Sequence, residues 1–210
     1  MVHSFIVLPY RATEKTEARK DAARERIATA ALEQVSEGGY ASAGVHTVAA
    51  RAGVAVGTVY RHFPSKADLF AEVFRRAAQR ELDVVTEVTT ADGRSARERC
   101  SAGAEAFCRR ALAGPVLAYA QIAEPVDPAV ERERLRLRRG YRDVFASALE
   151  DGVSAGELEP HDSQTVAAAL IGGLGEALVG PLSRREQQSE ALVATLVQFC
   201  QNALPSTAKA

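Results

Sequence analysis

Between Ala41 and Lys66 the chain carries three cations, Arg51, Arg61 and Lys66, and no acid, although 25% of all its residues are charged. Such a window suits a polyanion, because a carboxylate inside it would repel phosphate. Within it the run from Gly44 to Phe63 reads as two short helices, 45 to 52 and 56 to 62, joined by a turn at Gly53. A helix-turn-helix needs a small residue where its helices touch, here Ala49. It needs glycine at the turn, where a left-handed backbone is cheap, and apolar residues such as Val48, Val54 and Val59 to pin the pair to a core. The second helix can then enter a major groove with its first turn leading. Val56, Gly57 and Thr58 form that first turn, where free N–H groups and the positive end of the helix dipole favour phosphate and side chains reach base edges. Gly57 permits close backbone approach.

The residues that do enzyme chemistry are sparse. His3, His46, His62 and His161 form no pair at helical ligand spacing, and there is neither a Gly-x-Ser-x-Gly nucleophile elbow nor a phosphate-binding glycine loop. Cys100 and Cys108, eight residues apart on one expected helix, are separated by about 12 Å along its axis, too far to share a metal or a bond. With Cys200 they make an odd count without Cys-x-x-Cys, so reduced, buried thiols are expected, with no metal and no cofactor.

The elements that must position the motif are helical. Strand-like alternation is missing, while apolar residues recur at helical spacing, as in Ile27, Ala31 and Val35, or Leu137, Tyr141 and Val144. Ser65-x-x-Asp68, Ser95-x-x-Glu98 and Ser183-x-x-Glu186 each place a hydroxyl three residues before a carboxylate, the pattern that caps a helix start. Asp127-Pro128 and Gly114-Pro115 add two more starts. These signals predict an all-α fold of about nine helices, near 16 to 38, 45 to 52, 56 to 62, 66 to 89, 95 to 112, 115 to 123, 128 to 151, 162 to 180 and 184 to 203. Residues 1–12 read as a loose arm, 13–64 as a helix-turn-helix domain and 65–210 as a larger domain.

The string Gly39-Tyr40, then Val48-Ala49-x-x-Ala52-Gly53-Val54, then Gly57-Thr58-Val59-Tyr60-x-His62-Phe63-x-x-Lys66-x-x-Leu69-Phe70, resembles the DNA-binding domain of the TetR/AcrR family of transcriptional repressors, with a match from about Arg24 to Val73. The resemblance implies that Tyr60, His62 and Lys66 contact phosphate and position the protein, whereas His46 and Thr47 reach DNA from the first motif helix. Arg61 can bond a guanine with two N–H groups and is the leading candidate for base readout. Two departures stand out. Gly44 and Ala55 occupy the sites before the motif helices where the family usually has Ser or Thr, and Ala caps poorly, at a cost of about 1 kcal/mol. Val56 replaces a polar base reader and can pack only on an apolar group such as a thymine methyl.

For the larger domain the resemblance implies a homodimer through the last two helices, a palindromic operator on double-stranded DNA and release by a small-molecule effector. Gly172, Gly173 and Gly175 each cost about 1 kcal/mol inside a helix, and close approach of another backbone would repay them. Leu170, Leu174, Leu178, Leu192, Leu196 and Phe199 are the expected dimer residues, at or beneath the interface. Phe107, Tyr119, Gln121, Tyr141, Phe145 and Glu176 are the candidate effector-pocket residues. The arginine-rich run from Arg132 to Arg139 alternates with Glu131 and Glu133 and reads as a solvated face laced with ion pairs.

Composition sets outer bounds. In 210 residues, 47% hydrophobic, there is enough apolar material for a real core. Residues 11–82 carry twelve Lys or Arg against nine Asp or Glu, and residues 83–210 fourteen against eighteen. The longest apolar stretch, Val166 to Gly175, stops at Glu176, short of the roughly 20 residues a membrane span needs. Phe5 to Leu8 lack the basic flank and cleavage site of a secretory signal. A cytoplasmic protein without a membrane partner is the expectation. An all-α enzyme and a helical interaction module without DNA affinity remain as alternatives.

Overall fold

A computed structural model describes residues 14–186 and 189–204, so the arm expected over residues 1–12 lies outside the described residues. Among the described residues the chain is built of nine helices and no strand. They are α1 (Glu14–Gly38), α2 (Val45–Ala52), α3 (Val56–His62), α4 (Lys66–Thr89), α5 (Ala96–Ala113), α6 (Pro115–Ile122), α7 (Pro128–Ser154), α8 (Ser163–Ser183) and α9 (Glu190–Ala203).

The starts follow local chemistry. Ser95 and Glu98 close a full capping box at α5, and the Ser65 hydroxyl accepts from the Asp68 amide at α4. Two expected caps differ. Ser183 starts no helix: it lies in the last turn of α8, where its hydroxyl donates to the Gly180 carbonyl at 2.7 Å, the backward bond Ser makes inside a helix. The cap of α9 is Ser189, so that helix begins six residues later than the spacing predicts. Asp127 precedes α7 without capping it, because its carboxylate accepts a tertiary hydrogen bond from the Tyr40 hydroxyl instead.

Two apolar cores result. One joins α1, α2, α3 and the first half of α4 through Ile27, Val35, Val48, Val59, Phe63 and Phe70, and takes in Ala120 of α6 and Val130 of α7. The other runs from the second half of α4 to α9 around Val85, Phe145, Leu149, Leu174 and Leu178. Each fully buried Phe or Leu contributes about 1.5–3 kcal/mol. Because α4 donates Phe70 and Phe74 to one core and Val85 to the other, it is a single rod shared by both.

Helix α8 is long and apolar enough by length and composition to cross a membrane. Its leucine face, Leu170, Leu174 and Leu178, is instead buried in the protein core.

Candidate nucleic-acid interface and effector cavity

The turn between α2 and α3 is closed by Gly53 at φ 66°, ψ 39°, whose N–H donates to the carbonyls of Ala49 and Ala50. Only glycine takes this left-handed conformation without strain. Val48, Ala49 and Val59 are buried on the inner side of the pair. Neither Gly44 nor Ala55 makes a side-chain cap, as the missing hydroxyls require.

Outward, α2 exposes His46 and Thr47, and α3 exposes Gly57, Tyr60 and Arg61. Tyr60 is 47% exposed, unusual for so large an apolar ring without a partner surface. A Cβ added to Gly57 meets nothing within 4 Å, so the backbone there is open to an approaching group. Thr58 and Arg61 form a unit, the Arg61 Nη2 donating to the Thr58 Oγ1 at 3.2 Å. Val56 is half-buried, packed partly against the core of its own domain. Phe63 is buried, as its apolar character predicts.

His62 and Lys66 are held from behind. Arg24 of α1 donates to the His62 carbonyl at 3.0 Å and stacks 4.4 Å over the Phe63 ring. Burial, and then the cations Arg24, Arg61 and Lys20, keep the His62 imidazole below its usual range. The Lys66 ammonium lies 5.3 Å from the Tyr40 ring centroid and 5.7 Å from that of Phe70. Arg51, by contrast, is engaged by Glu37 in a two-pronged pair at 2.8 Å. Sequence reasoning assigned no role to Arg24 or Tyr40, since each acts through tertiary contact.

A cavity of about 970 Å³ opens among α4, α5, α6, α7 and α8. Of the residues expected there, Phe107, Gln121, Tyr141 and Glu176 line it. Phe107 and Tyr141 meet edge to face at 5.1 Å. Burial, and then the neighbouring Glu81 charge, raise the Tyr141 hydroxyl above its usual range. Gln121 is buried, and its Nε2 has no hydrogen-bond partner among the described residues. Two of the expected residues do not line the cavity. Phe145, one turn beyond Tyr141, is fully buried against Gly103 of α5, where the missing Cβ makes room for the ring. Tyr119 borders a separate small cleft beside Gly38, Gly39 and Glu124, because it faces the other side of α6.

The arginine run of α7 is not uniformly solvated. Arg136 pairs with Glu133 at the surface, as expected, but Arg134 is buried and donates to the carbonyls of Ala120 and Glu124 while pairing with Glu131. Arg138 lines the cavity and donates to the Ile122 carbonyl at 3.1 Å, and Arg110, Arg139 and Arg142 also border it.

The six expected dimer residues separate into layers. Leu170, Leu174 and Leu178 are buried in the core of their own chain and so cannot meet a partner directly, because α8 turns its leucine stripe inward. Leu196 is buried too and Leu192 half-buried, whereas Phe199 is 43% exposed. On α8, Ala169 and Ala177 are exposed outside the cavity lining, whereas the exposed Gly172 and Glu176 belong to that lining. A Cβ on Gly173 would come within 3.2 Å of the Phe199 ring, while Gly172 and Gly175 face open space.

Residues 27–73 match the family model described as bacterial regulatory proteins, tetR family. The chain is 32% identical over 150 residues to the HTH-type transcriptional repressor KstR of Mycolicibacterium smegmatis, covering 70% of each protein. It is 30% identical over 170 residues to KstR of Rhodococcus jostii, covering 80% of this chain and 76% of the relative. Its fold superimposes on FadR of Bacillus subtilis, a transcriptional regulator solved with stearoyl-CoA, with a TM-score of 0.72 at 21% identity, covering 85% of this chain and 98% of that one. By this similarity, on a chain whose two-helix motif stands free at the surface, the protein belongs to the TetR family of bacterial transcriptional regulators.

Proposed function

We propose that the protein acts in the cytoplasm as a homodimer that grips a palindromic operator with paired α3 helices and lets go when an amphipathic effector, of the fatty acyl-CoA class, fills the cavity. Residues 13–64 with the first turn of α4 carry the DNA contacts: Thr58 and Arg61 read bases with Val56, while Tyr60, His62, Lys66, His46, Thr47 and the Gly57 backbone hold phosphates. Residues 65–210 hold the effector and the dimer face, in which Phe199 and the small outer residues of α8 meet a second copy above the buried leucines. Two-fold pairing demands half-sites about 34 Å, or a multiple, apart.

The observation that carries this reading is the cavity itself. Its wall is mostly apolar, including Phe107, Leu117 and Ile171. Of the four guanidiniums that border it, Arg110 is paired with Glu81 and Arg142 with Asp143, so Arg138 and Arg139 are the cations offered to an anionic head, with Glu176 as the other carboxylate of the wall. An apolar body with an anionic head satisfies both halves, and the volume stands at the upper end of the roughly 300–1,000 Å³ of ligand sites. Gln121 supplies a buried amide donor for a carbonyl such as that of a thioester. The stearoyl-CoA held by the Bacillus subtilis FadR structure supports the class.

Selection of binding fragments from random DNA tests the first half: an inverted repeat is expected, and enrichment of unpaired sites would overturn it. Titrating stearoyl-CoA, free stearate and coenzyme A into the protein–operator complex tests the second. Release by stearoyl-CoA well below the concentrations the other two need is expected, and equal potency of all three would overturn the effector class.

A further inference from the structure

The end of α6 is where the two halves of the molecule meet. The last carbonyls of a helix have no N–H four residues ahead to bond, and α6 gives two of them to arginines of α7. Ala120 bonds Arg134, which also takes the Glu124 carbonyl, and Ile122 bonds Arg138 one turn further along. Gln121, Ile122 and Ala123 line the cavity. The next residue, Glu124, points the other way, and its carboxylate accepts the N–H groups of Tyr40 and Ala41 at 2.8 and 2.9 Å, clamping the turn between α1 and α2. Gly39, at φ 81°, leaves room for that carboxylate, whose oxygens stand 3.1 Å from where a Cβ would be.

Asp127 adds a second hold by accepting from the Tyr40 hydroxyl. Burial, followed by that hydrogen bond, raises the hydroxyl above its usual range and keeps it a donor. The Tyr40 ring packs edgewise on Phe70 and Phe74 and lies beneath the Lys66 ammonium. A continuous set of contacts therefore runs from the cavity wall to a residue of the DNA-facing surface.

We propose that Arg138 reads the anionic head of the effector and that the signal reaches the DNA-binding half through the Glu124 and Asp127 clamp on Tyr40 and Ala41. This rests on the effector reading given above. An anion that draws the Arg138 guanidinium toward the cavity takes it from the Ile122 carbonyl, and leaves the segment 122–127, which carries both carboxylates of the clamp, with one arginine hold, that of Arg134 at the Glu124 carbonyl. The two ligands are then coupled by a two-state element that each biases, the physical requirement for allostery.

The test uses the full chain, the selected operator and stearoyl-CoA as probe, with Glu124→Gln and Tyr40→Phe as variants. Gln turns an amide N–H toward one of the clamped N–H groups, whereas Phe removes only the hydroxyl and keeps the ring on Phe70 and Phe74. Wild-type operator affinity is expected to fall at least about tenfold with saturating stearoyl-CoA, within the usual 5–150-fold range of coupling. Each folded variant is expected to bind stearoyl-CoA alone, and operator alone, within about threefold of wild type, yet to lose less than about threefold of operator affinity on adding the probe. A purely structural clamp would change stability or basal affinity and leave that ratio alone. A wild-type response with an undiminished ratio in Tyr40→Phe overturns the relay and spares the effector reading. A wild-type protein indifferent to stearoyl-CoA overturns the effector reading, and the relay with it. Should Glu124→Gln fail to fold, Tyr40→Phe decides alone.

Discussion

The Lys66 ammonium stands 5.3 Å from the centroid of the Tyr40 ring, so the first residue of α4 is held by a side chain that the α6–α7 connection clamps in turn. A cation over an aromatic face is restrained without being neutralised, which leaves its charge available to phosphate. Lys66→Ala is therefore expected to weaken operator and random DNA by similar factors. The slope of log affinity against log salt should drop by about 1 per protomer. Binding isotherms on both DNAs at several salt concentrations measure this, and a loss confined to the operator would mean that Lys66 reads sequence.

His62 makes operator binding depend on pH. Its surroundings hold the imidazole below its usual value, by burial and then by Arg24, Arg61 and Lys20, so the free protein carries a neutral ring at neutral pH. A phosphate brought against the ring favours the protonated form, and binding must then take up a proton. Affinity should rise as pH falls from about 8 to about 6. For folding the sign is opposite. The unfolded ring binds a proton more readily, so this group's stabilisation is complete above its unfolded value of about 6.5 and fades below it. Comparison of pH profiles for wild type and His62→Gln isolates the effect, which should be smaller in the variant, where His46 is the imidazole left at the interface.

The motif was legible in the chain because its constraints are local. Gly53 has to be left-handed, Ala49 has to be small, and Val48 and Val59 have to face inward, all within one stretch of sequence. The clamp left no such trace, since Glu124 meets backbone N–H groups 83 and 84 residues away and backbone donors impose no residue type on their partner. The same holds for Arg134, which reads as one member of a charged run yet is buried against carbonyls. Phe107, Gln121, Tyr141 and Glu176 of the cavity lining were legible in the chain, but spacing alone could not tell the depth of Phe145 from that of Tyr141, one turn apart on the same helix.

Gly175 offers a way to close the cavity without touching the DNA surface. It lines the cavity, and a Cβ there meets nothing within 4 Å. Gly175→Leu also replaces a poor helix former, a gain of up to about 1 kcal/mol in propensity. The side chain occupies space the effector needs, so the variant should hold the operator as wild type does and ignore stearoyl-CoA. Calorimetric titration of the probe and operator binding in its presence check the two halves separately.

The three thiols should be inert in the folded protein. Burial pushes Cys100 and Cys108 up to about 12 and Cys200 up to about 11, and all three are free and buried. Thiolate is the reactive species, and here it is both scarce and shielded. Iodoacetamide at neutral pH is expected to leave the native chain unmodified by mass and to label all three sites in denaturant. Rapid labelling of Cys200 in the native chain would mean that the contact of α9 with α5 opens readily.

Two glycines four residues apart should respond in opposite directions to the same substitution. Gly53 ends α2 at φ 66°, a conformation that costs an L residue about 1–2 kcal/mol, so Gly53→Ala should lower stability by that amount. Gly57 lies within α3, has no positive φ and faces open space, so Gly57→Ala should be neutral or raise stability by up to about 1 kcal/mol. On DNA the order reverses. A methyl on Gly57 projects from the exposed surface of α3 at its first turn and separates the backbone from the phosphate it approaches, whereas Gly53 supports the motif from the turn. Gly57→Ala is expected to lose more operator affinity than Gly53→Ala despite being the more stable protein. Thermal melts and operator isotherms on the two variants decide it, and matching losses of affinity and stability in Gly57→Ala would mean that this backbone does not meet the DNA.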